Sequence, residues 1–363
     1  MPRPDAPRVV AALSGGVDSA VAAARVVEAG HEVLGVHLSL GEAEGSNPGR
    51  GCRSPDDAAE ASRVAERLGI PFEVWDVAGE FERHVVDEFV AGYAAGFTPN
   101  PCVTCNRRIK FQAILEKGRE RGFDAVATGH YARIVRPGQA APELHRARDE
   151  VKDQSYVLAA LGLDRLGRAL FPLGEAGSKA EVRAEAAARG LEVHDRPESL
   201  DACFVPDGDL AGFLARRLGE RPGEIVDEEG RVLGEHRGAH SFTVGQRKGL
   251  RIGNPAPDGE PRYVLRVEPD SNVVVVGPRS SLSVDALLGD GVVWLADDVP
   301  AADPTPCMVQ VRAHGEPAPG RVMVAGKTLR VDLERPMSRV AAGQAIVAYD
   351  GTRVLGQATA VTE

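Results

Sequence analysis

The chain has 363 residues, 43% of them hydrophobic, and a formal net charge of −10. That length allows two or three domains with hydrophobic cores. No apolar run reaches the roughly 18–20 residues of a membrane span, and the acidic balance excludes a protein that coats nucleic acid nonspecifically.

The first 200 residues alternate short apolar strands with helical stretches. "RVVAAL" (8–13) reads as a buried strand, followed by a helix at 18–29 that Gly30 stops. "HEVLGVHLSL" (31–40) is a second strand, and a polar, Gly-rich loop spans 41–54. "PDDAAEASRVAERLG" (55–69) is an amphipathic helix with proline near its start and glycine at its end. The strand "PFEVWDV", two further helices and the strand "FDAVATGH" continue the rhythm. Such β-α alternation predicts a doubly wound parallel sheet with helices on both faces, and ligands at the carboxyl ends of its strands where strand order reverses. Beyond residue 205 one helix remains (209–219), then hairpin-like pieces. The last 80 residues are short β runs broken by Gly and Pro, which predicts a small C-terminal β-barrel. The expected domains are 1–206, a small central domain at 207–278, and 279–363.

The N-terminus lacks the ordered segments of a signal peptide, so a cytoplasmic protein with no membrane association is expected. The five cysteines, Cys52, Cys102, Cys105, Cys203 and Cys307, are too sparse and odd in number for a disulfide framework. Catalytic, redox or metal-binding roles are the alternatives. Cys52 and Cys307 read as structural. Two basic islands interrupt the acidic chain. One holds Arg107, Arg108, Lys110, Lys117, Arg119 and Arg121 against Glu116 and Glu120; the other holds Arg237, Arg247, Lys248 and Arg251 with no acid between residues 236 and 257. They read as solvated faces or as points that grip a polyanion.

"LSGGVDSA" (13–20) lies between the first strand and the first helix. Gly15 and Gly16 let the backbone approach a ligand, exposed N–H groups at the helix start face negative charge, and Ser14 and Ser19 add hydroxyls. This is an anion cradle, but neither of the familiar lysine-containing or G-x-G-x-x-G phosphate loops. It resembles the pyrophosphate loop of the ATP-pyrophosphatase superfamily, whose members adenylate a carbonyl or carboxylate oxygen and let a nucleophile displace AMP.

The rest of the chain narrows the resemblance. "TPNPCVTCNRRIKF" (98–111), "ATGHYAR" (127–133), "KDQSYVL" (152–158), "LFPLGE" (170–175), "DACFVPDGD" (201–209), "GEHRGAHSFTVGQRKGL" (234–250) and "AAGQAIVAYDG" (341–351) are similar, in this order, to the tRNA-specific 2-thiouridylase family. That implies sulfur transfer to C2 of uridine 34, the wobble position, in tRNAs of the lysine, glutamate and glutamine type. It implies an ATP site at Ala12, Leu13, Ser14, Gly15, Gly16, Val17, Asp18, Ser19, Leu38 and Gly129, with Mg²⁺ neutralising the phosphates and Asp18 either holding that ion or facing the helix dipole. It implies Cys203 as persulfide carrier and Cys105 as its partner. Asn100, Pro101 and Cys102 match the segment beside the target base, which must leave its stack to react. Lys152, Asp153, Gln154, His130, Arg312 and Gln344 match tRNA contacts. The sulfur donor is a desulfurase or a relay protein, and a monomer is the expected state.

Family members often carry aspartate where this chain has Cys102, so three thiols surround one expected site. Either Cys105 and Cys203 act alone, or Cys102, Cys105 and Cys203 mount a [4Fe–4S] cluster whose fourth iron holds the transferable sulfur, or they bind zinc with Cys52 or His130 as fourth ligand. A helix start beside Arg107 and Arg108 would lower thiol pKa values in any of the three. The cluster is the favoured expectation, because a third thiolate has little use in a two-cysteine cycle. Two other functions fit the loop: an adenylating amide ligase or amidotransferase, and a noncatalytic RNA-binding scaffold.

Overall fold

The computed structural model describes residues 6–41, 55–138, 140–195, 202–205, 208–250, 252 and 259–362. Most of the loop expected over 41–54, and Cys52 within it, lies outside the described residues. The N-terminal sheet is built from β1 (Val9–Ala12), β2 (Val33–Ser39), β3 (Phe72–Asp76) and β4 (Ala125–Ala127). A hairpin of β5 (Arg133–Val135) and β6 (Glu143–His145) follows, then the last strand of this sheet, β7 (Ala169–Leu170). The order is β3-β2-β1-β4-β7 and every pairing is parallel.

Alternate residues of β1 serve opposite faces. Val9 and Ala11 join a cluster with Ala20, Val21 and Val64, and Val10 joins one with Val36, Phe111 and Val126. The chain winds outward from β1 to β3 and then returns to β4 on the other side. The carboxyl ends of β1 and β4 therefore flank the switch point, where an open α/β sheet leaves a crevice.

The second of the two further helices, "CNRRIKFQAILEKGRERG" (105–122) in the sequence, begins earlier. Asn100 caps the turn Pro101–Cys105, its Oδ1 accepting from the N–H groups of Cys102 (3.1 Å) and Val103 (3.4 Å). Pro101 sits in the first helical turn, where its missing N–H costs nothing. The helix then runs through a π segment, Asn106–Ala113, into Ile114–Glu120.

The central domain is a four-stranded sheet of β8 (Gly223–Val226), β9 (Val232–His236), β10 (Tyr263–Glu268) and β11 (Val273–Gly277), in the order β10-β11-β8-β9. The C-terminal domain is a barrel of β12 (Ser283–Trp294), β13 (Thr305–Gln310), β14 (Ala318–Ala325), β15 (Thr328–Ser338), β16 (Ala345–Asp350) and β17 (Arg353–Ala360). The order β12-β15-β14-β13-β16-β17 closes through β12–β17 pairing. Beyond the expected plan, the hairpin β5–β6 from the first 206 residues joins this sheet at β17, Arg353 opposite His145.

Candidate active site at the switch point of the parallel sheet

The anion loop occupies the end of β1. Gly15 has φ +79°, a conformation that a side chain would strain. The loop is tied internally: Ser14 N donates to Ser19 Oγ at 3.1 Å, and Ser19 Oγ donates to Gly16 O at 2.9 Å. Leu13 N donates to Val36 O and its carbonyl meets His37 Nδ1 at 2.9 Å, which anchors the loop to β2. Ser14 is exposed and Ala12, Gly16 and Leu38 are half-buried, so these expected ATP-site residues line an accessible edge. Gly129, just after β4, approaches the loop so closely that an added Cβ would lie 2.6 Å from Asp18 C and 2.7 Å from Ser19 N.

Asp18 has two partners that motif reading did not single out. Tyr131 Oη donates to Oδ1 at 2.8 Å, and Lys179, in the helix Lys179–Ala188, pairs with Oδ2. Tyr131 lay inside a quoted motif; Lys179 carried no sequence signal. The Asp18 carboxylate, expected either to hold Mg²⁺ or to face the helix dipole, thus meets a phenol and an ammonium in this arrangement.

The thiols lie beside this edge. Cys105 is buried in a cluster with Phe89, Ile109 and Phe204, against which Cys203 and Leu38 also pack. Cys203 and Cys102 are half-buried, and none of the three is in a disulfide. Cys203 lies in a turn closed by Val205 N donating to Ala202 O at 2.8 Å, with Ala202 held at φ +48°. Among the described residues no three His, Cys, Asp or Glu side chains are grouped to hold a metal ion. The donor set for a cluster across Cys102, Cys105 and Cys203 is therefore not assembled in this arrangement. Burial pushes the Cys307 thiol up to about 11, in keeping with a structural residue of the barrel.

Several residues expected to touch RNA meet around Tyr156. Its hydroxyl donates to Ala345 O at 3.0 Å, neighbours the Asn100 side chain and feels the charge of Arg312. Gln344 Nε2 donates to Thr98 O at 2.6 Å and Thr98 N donates to Ala342 O at 2.7 Å, so Gln344 clasps the loop preceding Asn100. Lys152 is half-buried, and Gln154 and Arg312 are exposed. Asp153 and His130 are buried. His130 sits between Phe111 and Phe171 with Nδ1 2.8 Å from Thr128 Oγ1, and burial holds its pKa well below the usual imidazole range.

The basic island beyond Cys105 is only partly solvated. Arg108 and Arg165 share the Gln112 amide oxygen, at 3.4 and 3.2 Å. Arg107 is half-buried, its guanidinium pKa lowered by burial and by the neighbouring Arg108 and Arg165. A polyanion would relieve that repulsion.

A glycine-turned anion loop at the switch point of a parallel sheet, backed by two further β domains, defines a HUP-type nucleotide-binding enzyme. Family models agree across the chain: the tRNA methyl transferase HUP domain over residues 7–207, the tRNA methyl transferase PRC-barrel domain over 211–278, and the aminomethyltransferase beta-barrel domain over 284–360. Three relatives, each named tRNA-specific 2-thiouridylase MnmA, are similar over nearly full length. That of Beutenbergia cavernae is 57% identical, covering 97% of this chain and 94% of its own. That of Leifsonia xyli subsp. xyli is 55% identical, covering 97% of each. That of Kineococcus radiotolerans is 58% identical, covering 97% and 98%. The chain belongs to the tRNA-specific 2-thiouridylase family.

Proposed function

We propose that the chain is an ATP-dependent tRNA-uridine 2-sulfurtransferase acting on uridine 34 of lysine-, glutamate- and glutamine-type tRNAs, as a cytoplasmic monomer. Residues 1–206 carry catalysis, 207–278 dock tRNA and 279–363 complete the RNA surface. The observation that carries this reading is the shared packing of Leu38, at the carboxyl end of β2, with Cys105 and Cys203. One edge of the sheet thereby serves both the nucleotide loop and the thiols.

The uracil C2 oxygen attacks the α-phosphorus of ATP, and pyrophosphate leaves into the N–H groups of the loop at 13–19. A desulfurase or relay protein has loaded Cys203 as a persulfide. Its terminal sulfur attacks C2 and AMP departs, leaving C2 joined to Cys203 through a disulfide. The Cys105 thiolate then attacks Cys203 Sγ. The sulfur stays on C2 as 2-thiouridine, a Cys105–Cys203 disulfide forms, and an external dithiol reduces it for the next cycle. Cys102, Asn100 and Pro101 border the flipped base.

The test supplies purified protein with ATP, a persulfide donor, a dithiol reductant and an unmodified lysine-type tRNA, and reads thiolated nucleoside by mass spectrometry. The expected result is 2-thiouridine with AMP release dependent on tRNA. Cys105→Ser and Cys203→Ser abolish turnover and Cys102→Ser retains it. AMP release that depends on ammonia instead of tRNA would sink this function in favour of an amide-forming ligase.

A further inference from the structure

Asp153 stands in the segment expected to contact tRNA, yet its carboxylate has no capacity left for RNA. Oδ1 accepts from the N–H groups of Ala147 (2.9 Å) and Ser155 (3.1 Å), and Oδ2 accepts from Ser155 Oγ (2.7 Å) and Arg146 Nη1 (3.0 Å). A carboxylate offers about four acceptor sites, and all four are taken. Its side chain is 5% exposed.

Arg146 carries the contact onward into the barrel. Its second fork nitrogen, Nη2, donates to Gln310 Oε1 at 2.7 Å, and its guanidinium lies 3.7 Å from the Tyr349 ring centroid. Gln310, at the end of β13 and buried, spends its amide nitrogen on two carbonyls, Arg312 O and Ala313 O, both at 2.9 Å. These partners fix the amide orientation, since oxygen must face the guanidinium and nitrogen the carbonyls. A buried ion pair of this kind is a weak source of net stability, because desolvation offsets the attraction. What its geometry does supply is a fixed relation between two chain segments more than 150 residues apart.

We propose that the buried chain Asp153–Arg146–Gln310 is a positioning device that sets the Arg312 loop against the Lys152–Gln154 segment, so that both meet one tRNA. The proposal rests on the reading of Arg312 and Lys152 as tRNA contacts. Arg146 and Gln310 touch no substrate; they act through the backbone that presents Arg312.

The experiment measures KM and kcat for tRNA in Gln310→Glu, Arg312→Ala and the double variant, with wild-type thiolation as control. Glutamate at 310 keeps an acceptor for Arg146 but loses both N–H groups that hold the loop. Gln310→Glu is expected to raise KM for tRNA about tenfold with kcat and the KM for ATP within about twofold, and Arg312→Ala to do the same. In the double variant KM should exceed that of Arg312→Ala by no more than about twofold, because residues acting through one contact are not additive. Arg146→Lys, which keeps the charge and loses the fork, should move KM in the same direction. Effects of Gln310→Glu and Arg312→Ala that multiply, or a lower melting temperature with KM unchanged, would overturn the proposal. Should Arg312→Ala leave KM unchanged while wild type still thiolates tRNA, the device fails and the function stands. A wild type that thiolates no tRNA removes both.

Discussion

Gly129 shows how a single missing Cβ can hold a site together. The β4 end and the start of the first helix, Val17–Glu28, are in contact only because nothing projects from this residue, and the atoms in the way are backbone atoms of Asp18 and Ser19 that cannot swing aside. Gly129→Ala should displace the anion loop, cost about 1–3 kcal/mol in stability from overpacking, and raise the KM for ATP more than that for tRNA. Chemical denaturation and initial-rate kinetics check both; equal KM values would refute the placement. His130 gives a pH signature. It is buried and uncharged in the fold, with its pKa depressed by burial and by Lys110. For a base depressed in the folded state, the unfolded chain binds the extra proton. Stability is therefore fully present above the unfolded value near 6.5 and is lost as pH falls below it, by up to about 1.4 kcal/mol per pH unit for each such histidine. His236 and His240 shift the same way by burial. His130→Gln should show a melting temperature that falls less steeply than wild type between about pH 6.5 and 5. Identical slopes would mean His130 is charged in the fold.

At the scale of elements, the parallel sheet was legible because its strands are short apolar runs, VVAA in β1 and VLGVHLS in β2, set between helices with clear stops. The start of the cysteine helix was not. It falls at Pro101, a first-turn residue under the Asn100 cap, where proline is as readily a loop residue in the sequence. The glycine loop was legible as a motif, but the partners of Asp18 were not, since Lys179 lies 161 residues away in sequence. The clasp of Gln344 on Thr98 spans 246 residues and has no local signature. The cap itself is testable. Asn100→Ala removes the acceptor for two N–H groups, a loss of about 1 kcal/mol, and loosens the turn that carries Cys105. Asn100→Asp restores the cap. Calorimetry should find the alanine variant less stable and the aspartate variant near wild type. If aspartate also restores thiolation in full, Asn100 acts through the helix alone; if thiolation stays low, its amide meets the base.

Taken as a whole, the molecule ties its first and last domains together through a shared core. The second core cluster mixes Val10, Phe111, Leu144, Tyr156 and Leu158 with Leu295, Ala345, Val347, Tyr349 and Val354 of the barrel. The β5–β6 hairpin adds backbone pairing across the same boundary. An independent domain needs its own core; the sheet and the barrel each have one, but this further cluster belongs to both ends of the chain. Burying a large apolar side chain stabilises by about 1.5–3 kcal/mol. Removing these barrel residues, four of them large, would thus forfeit an amount comparable with the roughly 5–15 kcal/mol by which a fold is stable, and would expose Leu144 and Tyr156. The segment 1–206 expressed alone should be insoluble or lack cooperative melting. In the full chain the parallel sheet and the barrel should unfold in one calorimetric transition, with the central sheet, which has a separate cluster around Ile225, Val264 and Val274, free to melt apart. A soluble 1–206 segment that melts cooperatively at the temperature of the whole chain would show the shared cluster to be dispensable.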